Sequence, residues 1–174
     1  MDAIEQCALD HLYVIPSATP PHKWEIFLPA KKRYALVKAA LSGIDKMSAS
    51  DIEIKRKGIS YTYLTLKEFK KQFPGAELFW LIGADNVNEI SGWRHPEQIA
   101  RDCTLVIAAR PGTRINPQKL TGFTFKRLEA RAIDISSTEI RQRLAKKLSI
   151  HGLVPESVEG LISPSKSYAP EKNK

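Results

Sequence analysis

The feature that most constrains this sequence is a run of five large apolar residues that leads directly into a glycine. Residues 78–82 read Leu-Phe-Trp-Leu-Ile, and Gly83-Ala84-Asp85 follows without a break. A short apolar run without alternation is typical of a strand covered on both faces, as in parallel sheets. The run therefore predicts a buried strand with Gly83 and Asp85 at its carboxyl end.

Strands and helices alternate along the rest of the chain. Residues 12–15 and 105–108 are further apolar runs, and proline-containing segments close them. Between the strands, apolar residues recur at spacings of three and four, which predicts amphipathic helices. The predicted helices span residues 30–41, 62–73, 138–147 and 155–162, and Ser60 or Thr62 is the candidate cap of the second. This order predicts an α/β fold, a Rossmann-like parallel sheet with helices on both faces.

Two further segments are assigned as strands on weaker patterns. Residues 51–54 alternate polar and apolar side chains, which predicts a less buried strand, and residues 133–135 predict the last strand of the sheet. A chain of 174 residues can form one domain without disulfides or metals, and we expect that domain to span residues 1–162. Residues 163–174 lack large aliphatic side chains, so we expect a disordered tail.

Composition excludes several classes of protein. The two cysteines, Cys7 and Cys103, lie far apart and in no C-x-x-C pair, so we expect two buried thiols and no metal site. No stretch approaches the ~18 consecutive apolar residues of a membrane span. The opening MDAIEQCALD lacks the basic region of a secretory signal, so we expect a cytoplasmic protein with no membrane partner.

Positive charge is concentrated in one part of the chain. The sequence carries 27 Lys and Arg against 19 Asp and Glu, and residues 119–147 hold eight cations and three anions. Such a concentration favours a phosphate-bearing partner, although a solvated basic face is the commoner cause. We expect no nucleic-acid partner, because no recognition module for nucleic acid is evident.

Four segments follow the predicted strands at the edge where sheets of this kind bind ligands. They are residues 16–23, 83–85, 110–112 and 136–141. The last reads Ser-Ser-Thr-Glu-Ile-Arg, and its Ser136 and Glu139 match a capping box. Free backbone N–H groups and hydroxyls at a helix start also bind phosphate, and Arg141 shares a helix face with Thr138. Alone the segment favours a cap; beside the other strand ends it favours phosphate binding.

The remaining candidates each have a structural alternative. Gly83 lets a ligand approach the backbone and Asp85 can accept from ribose hydroxyls, but Asp85 could equally cap a helix. Trp93 could stack on a heterocycle or pack at the edge of the core. Residues 60–62, Ser-Tyr-Thr, could hold a ligand or cap a helix, and residues 22–23, His-Lys, could contact a phosphate or lie solvated in a proline-rich loop.

Taken together and in order, these segments resemble the bacterial nicotinate-nucleotide adenylyltransferase family over about residues 3–162. The segments that carry the resemblance are LDHLYVIPSATPPHK, RYALVKAAL, SDIEIKRKGISYTYLTLKEF, ELFWLIGADN, Trp93, LVIAARPG, ISSTEIRQRL and LVPESVEGLI. The resemblance implies adenylyl transfer from ATP to nicotinate mononucleotide, with Mg²⁺ accompanying the ATP. A related adenylyl- or cytidylyltransferase with another acceptor is the alternative.

The resemblance also implies roles for individual residues. Tyr61 and Thr62 would line the mononucleotide site, with Trp93 stacked on the pyridine ring and Lys23 near a phosphate. The ATP site would consist of Gly83 and Asp85 at the ribose and of three residues at the phosphates. Those three are Ser136, Thr138 and Arg141, of which Thr138 and Arg141 are the catalytic candidates. Whether the protein forms a homo-oligomer is left open by the sequence.

One family motif is absent from the sequence. The family opens with a strand and G-G-x-F-D-P-x-H-x-G-H, whose histidines contact the ATP phosphates, and the four histidines here form no H-x-G-H pair. We therefore expect a chain truncated at its N-terminus, without the first, central strand of the sheet and with impaired activity. A non-catalytic nucleotide-binding remnant is the alternative that follows from this expectation.

Overall fold

Every strand ladder that the structure describes is parallel. The computed structural model describes residues 1–21, 28–108, 115–130 and 133–162. The strands are Leu12–Val14 (β1), Met47–Ala49 (β2), Phe79–Gly83 (β3), Thr104–Ala108 (β4) and Phe125–Leu128 (β5). The helices are Asp2–Gln6 (α1), Ala30–Ala40 (α2), Ile52–Arg56 (α3), Thr62–Gln72 (α4), Ala84–Val87 (α5), Pro96–Asp102 (α6), Ser137–Ala145 (α7) and Glu156–Ile162 (α8). Two 3₁₀ helices span Ile90–Gly92 and Pro117–Leu120.

The chain forms two compact units, and the first contains the larger sheet. It comprises Met1–Asp10 and Ser60–Ala132, with strands in the order β3-β4-β5. The apolar side chains of β3 and β4 that lie on one face of this sheet build a core together with α4, α5 and α6. Leu105, Ile107 and Ile99 in this core are fully buried. On the N-terminal side, Gln6 of α1 exchanges two hydrogen bonds with the backbone of Glu129, at 2.8 and 2.9 Å.

The second unit has a smaller sheet and a helical core. It comprises His11–Ile59 and Ile133–Lys174, and β1 pairs with β2 in the register Leu12↔Met47. Its apolar cluster joins α2, α7 and α8, with Ile150, Val158 and Ile162 buried at its centre. Ser157 of α8 donates a hydrogen bond to the carbonyl oxygen of Ala39 on α2, at 2.9 Å.

The α/β prediction is confirmed, as are the strands near residues 12 and 105 and all four predicted helices. Both cysteines are free and buried, as expected. The predicted tail, residues 163–174, lies outside the described residues. Among the helices of the described ranges, none has the length and hydropathy needed to cross a bilayer.

Two predicted strands are wrong. Residues 51–54 form the N-cap and first turn of helix α3, and the strand of this region is β2, which begins four residues earlier, at Met47. Glu53, expected in a less buried strand, is only 5% exposed. Residues 133–135 lie in irregular structure with Ile133 75% exposed, whereas β5 pairs with β4. In both cases the position of the strand is set by pairing with another strand. A short alternation of polar and apolar residues also occurs in helices and loops, so it does not identify a strand by itself.

Coverage of β3 also differs from the prediction. Leu81, in the middle of β3, is 49% exposed, although the apolar run predicts a strand covered on both faces. Within the described residues, β3 is an edge strand with β4 as its one neighbour. Ile82, on the opposite face, is buried in the core cluster. Because successive side chains of a strand point to opposite faces, only one face of β3 is well covered.

Candidate active site

The end of β3 brings Gly83 and Asp85 together as a packed unit. Gly83 is the last residue of the strand and the N-cap of α5, with extended backbone angles, φ −70° and ψ 148°. A Cβ atom on Gly83 would overlap Asp85 Oδ1, so the carboxylate lies where only a glycine leaves room. Ala84, between them, is buried, whereas Asp85 is exposed and available to a ligand. The strand end thus presents an exposed carboxylate whose Oδ1 lies over Gly83.

This geometry decides against one alternative considered from the sequence. The N-cap of α5 is Gly83, and in the described residues no side chain makes a capping hydrogen bond at this helix start. Asp85 lies inside the first turn of α5, where its negative charge interacts favourably with the helix dipole. A plain helix cap by Asp85 therefore does not account for this residue.

Tyr61 and Thr62 lie at the start of α4. The helix begins at Thr62, and its N-cap is Tyr61. Neither Ser60 nor Thr62 is the cap residue, so that prediction is wrong: the extended backbone of Tyr61, with φ −84° and ψ 130°, makes this residue the transition into the helix. The Tyr61 ring lies 6.1 Å from the ring of Tyr63, and Tyr63 contacts His95 edge-on at 4.6 Å.

Trp93 follows the first 3₁₀ helix, and its backbone N–H donates to the carbonyl oxygen of Ile90 at 3.1 Å. Its half-buried ring packs against the core cluster of the first unit, as the ring of Tyr63 does. Trp93 therefore packs at the edge of the core, as the structural alternative predicts, and part of the residue stays accessible.

Ser136, Thr138 and Arg141 meet at the start of α7. Ser136 is the N-cap, and its Oγ accepts from the backbone N–H of Glu139 at 3.0 Å, which confirms the predicted cap. Arg141 Nη2 donates to Thr138 Oγ1 at 3.1 Å, so these two side chains share one helix face, as expected. Ser136 and Thr138 are exposed. Hydroxyls, a guanidinium group and the backbone N–H groups of a helix start lie together here, a combination that binds phosphate.

The predicted residues fall into three groups. Tyr61, Thr62, Gly83, Asp85 and Trp93 belong to the first compact unit. Ser136, Thr138 and Arg141 belong to the second. Lys23 and His22, together with the Arg110-Pro111-Gly112 segment, lie outside the described residues.

Sequence reasoning missed one residue with a prominent role in the second unit. Arg33, in the first turn of α2, binds three backbone carbonyl groups with its guanidinium. Burial lowers the pKa of Arg33, and the negative charge of Glu53 acts in the opposite direction. The sequence did contain an indication that one of these residues has a special role. Residues 31–33 are three cations at a helix start, where the helix dipole disfavours positive charge.

Comparison with known proteins assigns the chain to a family. A family profile described as cytidylyltransferase-like matches residues 1–143. A protein of Exiguobacterium sibiricum, named as a probable nicotinate-nucleotide adenylyltransferase, is 38% identical over 168 residues, which cover 96% of this chain and 87% of the relative. The chain belongs to the nicotinate-nucleotide adenylyltransferase family. A relative of the same name from Clostridium tetani is 36% identical over 92% of this chain and 84% of its own length.

Solved structures agree with this family at the level of the fold. The Plasmodium falciparum nicotinic acid mononucleotide adenylyltransferase complexed with NaAD aligns with a TM-score of 0.74 at 19% identity. The alignment covers 95% of this chain and 87% of the Plasmodium chain. The chain therefore has the nucleotidyltransferase fold, and the resemblance inferred from its motifs is confirmed at the level of the family.

Proposed function

We propose that this nicotinate-nucleotide adenylyltransferase family member transfers the adenylyl group of ATP to nicotinate mononucleotide. The products are nicotinate adenine dinucleotide and pyrophosphate. The observation that carries the proposal is the position of the Asp85 carboxylate, which lies over Gly83 at the end of β3. It leaves an exposed carboxylate beside a strand end, at the edge where parallel sheets of this kind bind nucleotides.

The chemistry requires positioning more than proton transfer. A phosphate oxygen of the mononucleotide forms a bond to the α-phosphorus of ATP, and the bond from that phosphorus to the oxygen bridging to the β-phosphate breaks. The bridging oxygen leaves with its electron pair on pyrophosphate. Because the attacking phosphate is already anionic, no general base or covalent intermediate is needed. Orientation of the two substrates and cations near the leaving group supply the rate enhancement.

The residues around α7 suit the phosphate end of ATP. In this proposal Arg141 and the Thr138 hydroxyl bind the phosphates, and Arg141 stabilises the charge that develops on pyrophosphate. Their contact at 3.1 Å holds the guanidinium over the first turn of the helix. Ser136 fixes that turn through its bond to Glu139 N–H. Gly83 and Asp85 would bind the adenosine ribose.

The mononucleotide would be bound by residues at the start of α4 and after the first 3₁₀ helix. The partly accessible ring of Trp93 suits stacking on the pyridine ring, and Tyr61 and Thr62 offer hydroxyl groups. Lys23 would contact the mononucleotide phosphate, a role proposed on the family resemblance alone.

ATP would bring Mg²⁺ with it. In phosphoryl-transfer sites Mg²⁺ keeps several waters and binds mainly to substrate phosphate oxygens, so it needs at most one or two carboxylates from the protein. Over the described residues, no group of three His, Cys, Asp or Glu side chains forms a cage. Because Asp85 is assigned to the ribose, the phosphate oxygens of ATP and bound water would supply most of the ligands of this ion. When bound, Mg²⁺ neutralises phosphate charge.

The test is a coupled assay for dinucleotide formation by this chain. We expect detectable but impaired activity with ATP and nicotinate mononucleotide, because the sequence has no H-x-G-H pair, and loss of activity when CTP replaces ATP. Calorimetry should detect binding of each substrate on its own. Mononucleotide binding without ATP binding or turnover would indicate the nucleotide-binding module instead. Activity with CTP would overturn the nucleotide assignment, and nicotinamide mononucleotide as the preferred acceptor would overturn the acceptor assignment.

A further inference from the structure

A cluster of buried charges lies in the second unit, apart from the residues given roles above. Glu53 of α3 is 5% exposed, and its Oε1 lies 3.9 Å from Arg56 Nη2, whose side chain is 16% exposed. The charge of Glu53 also acts on Arg33 of α2. Buried charges persist only where partners compensate their lost hydration, so the placement of these groups is tightly constrained.

The guanidinium of Arg33 connects this cluster to two separate stretches of backbone. Its Nη2 donates to the carbonyl oxygens of Ser17 at 2.5 Å and of Ala18 at 3.3 Å. Its Nε donates to the carbonyl oxygen of Leu28 at 3.1 Å. All three acceptors are main-chain atoms, so the contacts fix the path of the chain rather than the position of any side chain. A planar fork of donors is suited to holding several acceptors at once.

The segment held by Arg33 continues directly into a contact with the chain ahead of α4. Thr19, which follows Ala18, forms an isolated parallel bridge with Ile59. Ile59 lies three residues after Arg56, beyond a turn in which Lys57 and Gly58 have positive φ values of 62° and 74°. The two residues of the bridge are therefore each close in sequence to a residue connected to the charge cluster: Thr19 follows Ala18, which binds Arg33, and Ile59 follows Arg56 by three residues.

We infer, on the basis of the proposed function, that Arg33 is a positioning residue for the mononucleotide-binding segment. Ser60, Tyr61 and Thr62 directly follow Ile59 in the chain, so the bridge sets where this segment starts. Arg33 touches no substrate in this role. It acts through the carbonyl groups of Ser17 and Ala18, and Glu53 compensates its charge.

Three variants test this role. Arg33→Met removes the donors and keeps most of the side-chain length, and Arg33→Lys keeps the charge but replaces the planar fork with a single ammonium group. Lys31→Met is the matched control, because Lys31 is exposed in the first turn of the same helix. It removes one positive charge from α2 without touching the contacts of Arg33.

The kinetic signature is a change confined to one substrate. For Arg33→Met we expect the KM for the mononucleotide to rise about tenfold, the size expected when charged hydrogen bonds that order a site are lost. The KM for ATP and kcat should stay within about twofold of wild type, because Gly83, Asp85 and the α7 residues do not depend on this bridge. Arg33→Lys should give an intermediate KM, and Lys31→Met the wild-type value.

Hydrogen exchange supplies a readout that does not depend on turnover. In Arg33→Met the backbone amides of residues 17–19 and 59–61 should exchange faster than in wild type and in Lys31→Met, while amides of β4 keep their protection. If Arg33→Met does not fold, Arg33→Lys is read in the same way. Unchanged exchange at these amides, or equal rises in both KM values, would overturn the role of Arg33. A wild-type chain without dinucleotide synthesis would instead refute the proposed function, and exchange alone would then decide whether Arg33 holds the bridge.

Discussion

The end of β3 and the start of α7 hold their candidate residues by different means. Gly83 and Asp85 stand at the end of a strand that pairs along its length with β4, on a core of fully buried side chains. Ser136, Thr138 and Arg141 stand on an exposed helix turn, held by two hydrogen bonds between residues three apart. The first site depends on packing across the unit, and the second on local sequence.

This contrast determines how each region should respond to substitution. A change at the end of β3 displaces the Asp85 carboxylate that lies against the backbone, so activity should fall with only a modest loss of stability. A change at the start of α7 removes exposed donors or acceptors, so ligand binding can fall while the fold remains stable. The following predictions test this separation, in order of decreasing expected effect.

Arg141→Ala should produce the largest loss of activity. We expect kcat/KM to fall about 10²- to 10³-fold, because a cation that stabilises charge on the leaving group contributes mainly in the transition state. The free energy of unfolding should change by less than about 0.5 kcal/mol, since the side chain lies on a helix surface. Steady-state kinetics and urea denaturation measure both quantities. Lys146→Ala, at the exposed end of the same helix, is the control, and equal losses in the two variants would contradict the role of Arg141.

Gly83→Ala should lower both activity and stability. The new Cβ would overlap Asp85 Oδ1, so the carboxylate must move. We expect the KM for ATP to rise about tenfold, and the free energy of unfolding to fall by at most about 1 kcal/mol, because the exposed Asp85 side chain can rotate away from the new Cβ.

The control for this substitution is Gly160→Ala in α8. A Cβ at Gly160 meets nothing within 4 Å, so this variant should keep full activity and gain about 0.5–1 kcal/mol of helix stability. An unchanged KM for ATP in Gly83→Ala would show that ATP binding does not depend on the observed position of the Asp85 carboxylate.

Ser136→Ala should have a smaller effect, mainly on stability. It removes the acceptor for the Glu139 N–H and should cost about 1 kcal/mol in urea denaturation. Activity should fall only about threefold, because Thr138 and Arg141 keep their mutual contact and the helix start frays little. Ser136→Asn, which can also cap a helix, should restore most of the stability. A loss as large as that of Arg141→Ala would mean that the Ser136 hydroxyl binds the substrate directly.

The smallest effect at neutral pH concerns the core at the amino end of β4, where Cys103 is buried. Burial, with a minor contribution from Asp102, raises the pKa of the Cys103 thiol to about 12, against an ordinary value of 9.0. The unfolded chain therefore releases this proton at lower pH than the folded chain, so stability is retained below pH 9 and lost between pH 9 and 12. From pH 8 to 10 wild type should lose about 1 kcal/mol more stability than Cys103→Ala. If the free energy of unfolding, measured by chemical denaturation, fell equally with pH in wild type and Cys103→Ala, the Cys103 thiol would be hydrated rather than buried.

Local patterns predicted the elements whose formation depends mainly on neighbouring residues. The run at residues 78–82 and the periodicity of residues 62–73 led to β3 and α4 within one or two residues. The Ser136 cap followed from a four-residue motif, and its hydrogen bond is present. These features were predictable because cap, period and apolar run lie within one or two turns of chain.

Other features depended on partners far away in the sequence. Residues 133–135 and 125–128 have comparable local patterns, and only pairing with β4 selects the second as a strand. Residues 51–54 form a helix whose Glu53 is buried beside Arg56. The run at 78–82 could not reveal that Leu81 lies on a poorly covered face. Arg33 was missed for the same reason, since its acceptors lie 5 to 16 residues away.

By itself, the sequence determined the α/β class and the family, and it was the source of the proposal for which residues bind phosphate and ribose. These depend on short motifs at strand ends and helix starts, where local backbone geometry dictates the residue types. The tertiary structure alone decided that Gly83 makes room for the carboxylate of Asp85 and that Arg33 holds the backbone behind the Thr19–Ile59 bridge. Both depend on which atoms approach one another in space, and that is set by packing and buried charge rather than by any local pattern.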